Sequence, residues 1–268
     1  MREASIVDIE RSWATAERRL VDVVGQLRPT VPSMTFDLAD GVGILSGPDL
    51  YVNQAMGAGL VGAVTAAQLE VLEAAAAQMH VAAAFDVCDA TTAETVALLG
   101  ARGYVADDRR YAMVHDLTSI GSPWPARSFS VERVVTDELH RWQQAAAKGW
   151  GHQTPARRAA SDLYAAAAAM ADDPGLMLCR DNAGVVVGVA TLRIDGAIAT
   201  LGGMSTPPEY RGRGVQSALL VRRLELARKA GCSIATSSVE PGSASHRNLM
   251  RHGFSVSHTH TTWVQPTV

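Results

Sequence analysis

The sequence predicts an α/β (α+β) fold of two related halves, each a mixed, largely antiparallel sheet flanked by helices. Two observations carry this. The runs "GLMLCRDNAG", "VVVGVATLRIDG" and "AIATLGGMS" are strand-like and are separated by turns at "DNAG" and at Asp195-Gly196, which is an antiparallel meander. The two halves also end alike. In each, a long helix, a short apolar strand and a second helix lead through "ARGY" or "RHGF" into a last strand, with Gly103-Tyr104 and Gly253-Phe254 in matching places. The segment "TSIGSPWPARS", 118–128, collects glycine, two prolines and serines and has the composition of a connection. It divides the chain into a first domain at 1–117 and a second at 129–268.

In the first half, "MREASIVDIERSWATAERRL" breaks each apolar pair with charge and offers no signal-peptide core, so the start reads as mature. Residues 64–79 have the apolar spacing of a helix, with Leu69 and Leu72 on one face. "VAAAFDVC" reads as a buried strand. The helix in "TTAETVALLGAR" is expected to open with a capping box of Thr91 and Glu94 and to close at Gly103.

In the second half, "FSVERVV" reads as a strand, "TDELHRWQQAAAKGWG" as a helix from Thr136 to a glycine, and "TPARRAASDLYAAAAAMADD" as a third helix. After the meander, Pro207 and Pro208 end the sheet because neither can donate to a ladder. A helix then begins at Val215 and stops at Gly231. "CSIATSSV" is a strand, "SASHRNLMRH" a helix and "FSVSHTHTTWV" an alternating strand.

Composition excludes several classes. A chain of 47% hydrophobic and 19% charged residues is globular, and a net charge of −3 lacks the basic excess of a nucleic-acid binder. Cys88, Cys179 and Cys232 are odd in number and far apart, which fits neither a disulfide framework nor zinc-ligand spacing, and suits a reducing cytoplasm. No metal site is expected. The longest weakly polar stretch, "VLEAAAAQMHVAAAF", is broken by Glu73, Gln78 and His80 and falls short of the ~20 apolar residues of a membrane helix. The expectation is a soluble protein with neither nucleic acid nor membrane as a partner.

The chemistry concentrates in "EYRGRGVQSALL", 209–220. Gly212 and Gly214 permit positive backbone dihedrals, and a helix starting at Val215 leaves its first amides without carbonyl partners. Those amides, the helix dipole and the guanidinium groups of Arg211 and Arg213 suit a phosphate or pyrophosphate. A solvated turn is the other reading of these residues alone. The context is an antiparallel strand before the turn, an amphipathic helix after it (Val215, Leu219, Leu220, Leu224, Ala227), and a further strand and helix beyond.

This arrangement resembles the GNAT family of acyl-CoA-dependent N-acetyltransferases, whose signature Arg/Gln-x-x-Gly-x-Gly/Ala lies between the fourth strand and the third helix. Arg211, Gly212, Arg213, Gly214 and Val215 match it, while Gln216 stands where the family usually has glycine or alanine; "LMRHGF" resembles the family's later Leu-Tyr-x-x-x-Gly-Phe. The resemblance covers roughly 129–264, and the end of the first half faintly. It implies acetyl-CoA, or another acyl-CoA, held with its pyrophosphate on the amides of 212–217, Gln216 and Ser217 included. The pantetheine would lie along "GGMSTP" with Met204 and Thr206 as main-chain partners, and Ser245 and Asn248 would be polar contacts or else merely cap and solvate their helix. A wedge between splayed strands would let a neutral amine attack the thioester directly.

Two departures bear on catalysis. The family's thiolate-protonating tyrosine aligns with Leu249, and its strand-four glutamate has no counterpart in "AIATLGGMS". Glu240 is the best candidate acid and His258 could stand near the thioester; a surface carboxylate and a core histidine are the plainer readings. Trp150 and His152, in "KGWGHQT", sit where the family admits substrate, or else anchor a loop.

In the first half "GAGLVG", 57–62, fits Gly-x-Gly-x-x-Gly, yet "DLYVNQAM" before it is a poor candidate strand. The stretch lies where this half should carry its own pyrophosphate turn, and it lacks arginine. It reads as a degenerate unit that has lost cofactor binding; a dinucleotide site is the alternative.

The expectation is therefore a tandem protein with an active second half, a transferase moving an acetyl group to the amine of a small molecule. A CoA-binding regulatory module without catalysis is the alternative, as is a donor on an acyl carrier protein. A homodimer is left open.

Overall fold

The computed structural model describes residues 5–48, 50, 52–118, 129–152, 154–171 and 174–266. Of the connection expected at 118–128, only Thr118 lies among them. The chain divides into two compact units that do not follow the chain linearly: Met1–Met113 with Ser238–His246 and Val256–Val268, and Val114–Ser237 with Arg247–Ser255.

In the first unit, helix α1 (Ile6–Leu27) starts at Ser5, whose hydroxyl accepts from Asp8 N–H while the Asp8 carboxylate accepts from Ser5 N–H. Ile9, Trp13, Ala16, Leu20 and Val24 recur at three- and four-residue spacing and are buried. Strands β1 (Met34–Leu38), β2 (Gly41–Leu45) and β3 (Asn53–Met56) form an antiparallel meander, and β3 then pairs in parallel with β4 (Ala84–Cys88) through Ala55 and Phe85. Helix α2 (Ala66–Gln78) makes the crossover, capped by a box of Thr65 and Gln68.

Beyond β4 come α3 (Ala93–Ala101), β5 (Val105–Asp116) and a strand from the far end of the chain, β11 (Ser255–Val264), which pairs antiparallel with β4 from His260 opposite Cys88 to Val264 opposite Ala84. Leu69, Leu72, Phe85, Leu99 and Tyr104 form the core, with Trp263 of β11 packed against it.

Two local expectations are corrected. Helix α3 starts after Thr92 without a side-chain cap, because the Thr91 hydroxyl is already occupied accepting from Cys88 N–H at 2.9 Å. "DLYVNQAM" does contain a strand, β3. Asn53 fixes its start by accepting from Ser46 and Gly47 N–H and donating to the carbonyls of Gly47 and Leu50. Side-chain bonding there outweighs weak strand propensity.

The second unit repeats the plan. Strands β6 (Ser130–Arg133), β7 (Pro174–Arg180), β8 (Val186–Asp195) and β9 (Ile198–Ser205) form an antiparallel meander. Strand β9 then pairs in parallel with β10 (Ile234–Val239). Helices α4 (Leu139–Trp150) and α5 (Pro155–Ala171) lie between β6 and β7 in sequence, and α6 (Val215–Lys229) makes the crossover from β9 to β10. Helix α7 (Ala244–Arg251) follows β10. Gly103 and Gly253, at φ +81 and +83, close α3 and α7 in the same left-handed conformation, and the aromatic residues after them, Tyr104 and Phe254, are both buried. The fold is a mixed α/β one with open, mostly antiparallel sheet flanked by helices, as the sequence predicts.

Candidate active site

The site of interest in the second unit is built around the end of β9. Pairing between β9 and β10 runs from Ile198 opposite Ile234 to Thr200 opposite Thr236 and ends there, although both strands continue. Past that point Ser237 Oγ donates to Leu201 O at 2.8 Å, a side chain taking the place of a ladder bond. On the other edge of β9, the register with β8 shifts between Val189 and Thr191. This bulge leaves Gly203 and Met204 out of step with the ladder, and Gly203 adopts φ +55, where a Cβ would lie 2.6 Å from Thr191 Cγ2. One strand therefore turns unpaired main chain toward both sides over a few residues.

A buried cation holds the bulge. Arg223 of α6 is 1% exposed and donates through Nη1 to Thr191 O at 3.1 Å and Gly202 O at 3.2 Å, through Nε to Leu219 O, and approaches Met204 Sδ at 3.4 Å. Burial pulls its pKa down to about 9, which leaves it charged at neutral pH. Carbonyl dipoles, with no carboxylate among these contacts, solvate the charge. Nothing in the sequence reading singled out Arg223, since its place at Leu219 plus four suggests an apolar position.

The other wall is the end of α4. Gly149 lets that helix approach β9 closely: a Cβ there would meet Ser205 Oγ at 2.0 Å and Thr206 main-chain atoms at 2.9 Å. Trp150 Nε1 donates to Met204 O at 3.2 Å, and its ring meets Trp142, Tyr164 and His152 at centroid distances of 5.8, 6.3 and 5.6 Å. His152 Nδ1 bonds to Ser161 Oγ, and burial, followed by the nearby Arg157 charge, lowers its pKa. Trp150 and His152 thus belong to one aromatic cluster on the bulge.

After β9 comes the turn singled out in the sequence. Gly212 and Gly214 adopt φ +74 and +85, and Gly214 is the N-cap of α6 without any side-chain cap. The amides of Val215, Gln216 and Ser217 open the helix, where no carbonyl of the preceding turn can reach them. The two arginines play different parts. Arg211 is committed to the protein, donating to Thr206 O at 3.1 Å and Gly149 O at 2.8 Å, and so ties the turn to β9 and α4. Arg213 is exposed, its guanidinium 5.7 Å from the Tyr210 ring centroid. The carbonyls of Met204 and Thr206 accept from Trp150 and Arg211, each with one lone pair left.

Buried polar atoms without a partner gather near this turn. Thr206 Oγ1 and Asn248 Nδ2 are both in this state, and Asn248 Oδ1 accepts from Ser217 Oγ at 3.3 Å. A buried donor left unpaired costs ~1–3 kcal/mol, and a ligand that bonds to it recovers that cost. Uncapped helix amides, two left-handed glycines and these two orphaned groups suit an elongated polar ligand ending in a pyrophosphate.

Three further residues fall in the first unit. Ser245 and Glu240 are in the segment Ser238–His246, which packs with the first unit; Ser245 is half-buried and Glu240 exposed. His258 of β11 is fully enclosed in the first unit, with Nε2 on Glu10 Oε1 at 2.6 Å and Nδ1 on Ser257 Oγ at 3.1 Å. Leu249, at the position of the family's tyrosine, is buried in the core.

The corresponding turn of the first unit, 57–62 between β3 and α2, has an occupant from the chain itself. The Asp40 carboxylate accepts from Gly59 N–H at 2.6 Å, Val61 N–H at 2.8 Å and Leu60 N–H at 3.2 Å. Gly57 and Gly59 adopt φ +64 and +72 to converge these amides. An internal anion fills the nest.

Residues 136–254 match the acetyltransferase (GNAT) family. No match to a curated protein was found. Among solved structures, the chain is similar to a GCN5-related N-acetyltransferase from Kribbella flavida at 16% identity and TM-score 0.67, covering 99% of this chain and 98% of that one. A GCN5-related N-acetyltransferase from Sphaerobacter thermophilus matches at 13% identity and TM-score 0.60, covering 99% and 96%. A tandem GNAT protein from the clavulanic acid biosynthesis pathway matches at 13% identity and TM-score 0.58, covering 95% and 96%. These likenesses show a shared fold. The match to the acetyltransferase (GNAT) family over 136–254 falls on the unit that holds the glycine turn, and the shared fold extends over nearly the whole length of the chain.

Proposed function

We propose that the second unit transfers an acetyl group from acetyl-CoA to the amine of a small molecule. The observation that carries this reading is the contrast between two equivalent turns: Gly214 caps α6 with no side chain on its amides, whereas Asp40 occupies the amides of 59–61. One turn is left available to an external anion and the other is closed.

Bound acyl-CoA supplies a thioester carbonyl and a thiol leaving group. The chain's own contributions are positional. Amides of 212–217 hold the pyrophosphate with Arg213 alongside, while Arg211 fixes the turn. Met204 and Thr206 present main chain to the pantetheine, and Asn248 with Ser217 supplies a polar contact. Trp150, His152 and Tyr164 offer an aromatic wall whose histidine is held neutral by burial, a surface that favours an uncharged amine. Such an amine attacks without a strong protein base. Of the roles read from the sequence, that of His258 does not enter, because both of its ring nitrogens are engaged within the first unit; Glu240 is an exposed acid and Ser245 a half-buried hydroxyl, and no step is assigned to them. Three buried, free cysteines suit a reducing compartment such as the cytoplasm.

Leu249 in the core and the acid-free β9 favour a second reading, a CoA-binding module without turnover. Calorimetry with CoA and thiol release from acetyl-CoA across a panel of amines separate the two. Tight CoA binding with no turnover on any amine leaves only the module. A free amine acetylated from an acyl carrier protein but not from acetyl-CoA moves the donor to the carrier. No CoA binding refutes both CoA readings.

A further inference from the structure

The first unit contains a chain of side chains that neither reading uses. Asp86 lies on β4, His260 on β11 and Ser238 at the end of β10, and all three fall within this unit. Asp86 Oδ1 lies 3.1 Å from His260 Nδ1, and His260 Nε2 lies 2.9 Å from Ser238 Oγ. The register of β11 on β4 creates the first contact. His260 is directly opposite Cys88, so Asp86, two residues along the same face, is its diagonal neighbour. Trp13 of α1 packs on the imidazole with ring centroids 5.4 Å apart and limits its rotation. Burial is graded along the chain: Asp86 is 4% exposed, His260 8%, and Ser238 is exposed to solvent.

We propose that Ser238 is a nucleophile that accepts an acyl group from an activated oxygen ester or thioester, with His260 as its base and Asp86 as the residue that orients His260. A buried acid on Nδ1 fixes the tautomer with the lone pair on Nε2, and that lone pair faces the one exposed hydroxyl of the set. In acylation, the bond from Ser238 Oγ to the acyl carbon forms as the hydroxyl proton passes to His260 Nε2. The bond from that carbon to the leaving oxygen or sulfur then breaks, and His260 returns the proton to the leaving atom. Water reverses the sequence: its proton goes to His260, its oxygen joins the acyl carbon, and Ser238 Oγ leaves with the proton, releasing a carboxylic acid.

The surroundings set the working pH. Burial opposes protonation of His260, as does Arg110, yet the hydrogen bond and charge of Asp86 and the charge of Glu10 outweigh them and raise its pKa above the ordinary 6.5. Cys88 is silent here because burial, with Glu10 next, pushes its thiol up to about 11, and His258 is engaged with Glu10. The relay therefore gains its base form at a higher pH than an ordinary histidine would.

The test is covalent labelling of the full chain with a fluorophosphonate, read by intact mass and peptide mapping, beside p-nitrophenyl acetate hydrolysis followed from pH 6 to 9. The expected result is one adduct on Ser238, a rate that rises with pH, loss of the adduct in Ser238→Ala, and labelling at least tenfold slower in His260→Gln. Asp86→Asn, which keeps the packing, should slow labelling comparably and shift the pH profile downward, an effect that a merely structural contact would not produce. Absence of an adduct on wild-type Ser238 overturns the proposal. Equal labelling rates in wild type, His260→Gln and Asp86→Asn also overturn it. Because the readout needs no CoA, its failure leaves the acetyltransferase reading untouched.

Discussion

Replacing Asp40 with alanine removes the internal anion from the first unit's turn. Gly59 N–H donates to it at 2.6 Å and Val61 N–H at 2.8 Å, while Leu60 N–H forks between its oxygens at 3.4 and 3.2 Å. A hydrogen bond to a charged group contributes about 1.5–3 kcal/mol, and a buried donor left unpaired costs a similar amount. Val61 is exposed, so water replaces its partner at little cost, and the ion pair of Asp40 with half-exposed Arg11 at 3.8 Å adds almost nothing. Gly59 and Leu60 are buried, one strongly bonded and one weakly, so the expected loss is about 2–4 kcal/mol. Against a typical stability of 5–15 kcal/mol this lowers a urea midpoint by roughly 1–2 M at a slope of ~2 kcal/mol/M. Hydrogen exchange at residues 59–61 gives the local measure, since the variant should open this turn before the rest of the unit. Asp40→Asn, which keeps one carbonyl oxygen, should lose about half as much. Phosphate should restore protection at 59–61 in Asp40→Ala and not alter it in the wild type. A midpoint and exchange rates unchanged in Asp40→Ala would refute the reasoning, because the amides would then be satisfied without the carboxylate.

Gly214→Pro should weaken CoA binding by about 100-fold or more, since proline cannot adopt φ +85 and removes an amide from the turn; unchanged affinity by calorimetry would displace the pyrophosphate from 212–217. Gly149→Ala should cost about 1 kcal/mol net, because overpacking of ~1–3 kcal/mol against Ser205 Oγ outweighs a helix-propensity gain of ~1 kcal/mol. A variant more stable than wild type in denaturant would contradict the contact. His115, packed on Phe254 at 5.1 Å, has its pKa lowered chiefly by burial. Its folded pKa lies below the unfolded 6.5, so the unfolded chain takes up the proton first and stability should fall as pH drops below 6.5; His115→Gln should flatten that slope. Burial pushes Cys88 to about 11 and Cys179, with the Asp181 charge adding, to about 12. Neither thiol should react with a disulfide reagent at pH 7 until denaturant is added.

Much of this was legible in the sequence because the signals are local. The meander, the helix starting at Val215 and the left-handed closures at Gly103 and Gly253 all follow from turn chemistry and periodicity within a dozen residues. Residues whose meaning depends on distant partners were not legible. Asp40 is an ordinary turn acid until Gly59 to Val61 arrive beside it, and Arg223 reads as an interruption of an apolar stripe until the carbonyls of Thr191 and Gly202 surround it. Strand β3 is four residues long and opens on two amide side chains, so periodicity had little to work on. Arg211 shows a subtler gap: residue type suggested a phosphate ligand, whereas two backbone carbonyls claim its guanidinium. Its neighbour Arg213, also exposed, has only the Tyr210 ring beside it among the contacts described above.

The pairing of β11 with β4 has a consequence for biosynthesis. Residues 1–113 emerge from the ribosome with the β4 edge bare, and the strand that covers it, together with the buried His258 partner of Glu10, is made only after the whole segment Val114–Ser237. Until β11 is made, the nascent first unit therefore carries an open sheet edge and an isolated carboxylate in its interior, a state prone to association with other chains. Synthesis of β11, more than completion of residues 1–113, is the event that lets this unit reach its final form, and a stop codon just before Ser255 should yield an aggregating product even though every residue of α1 to β5 is present.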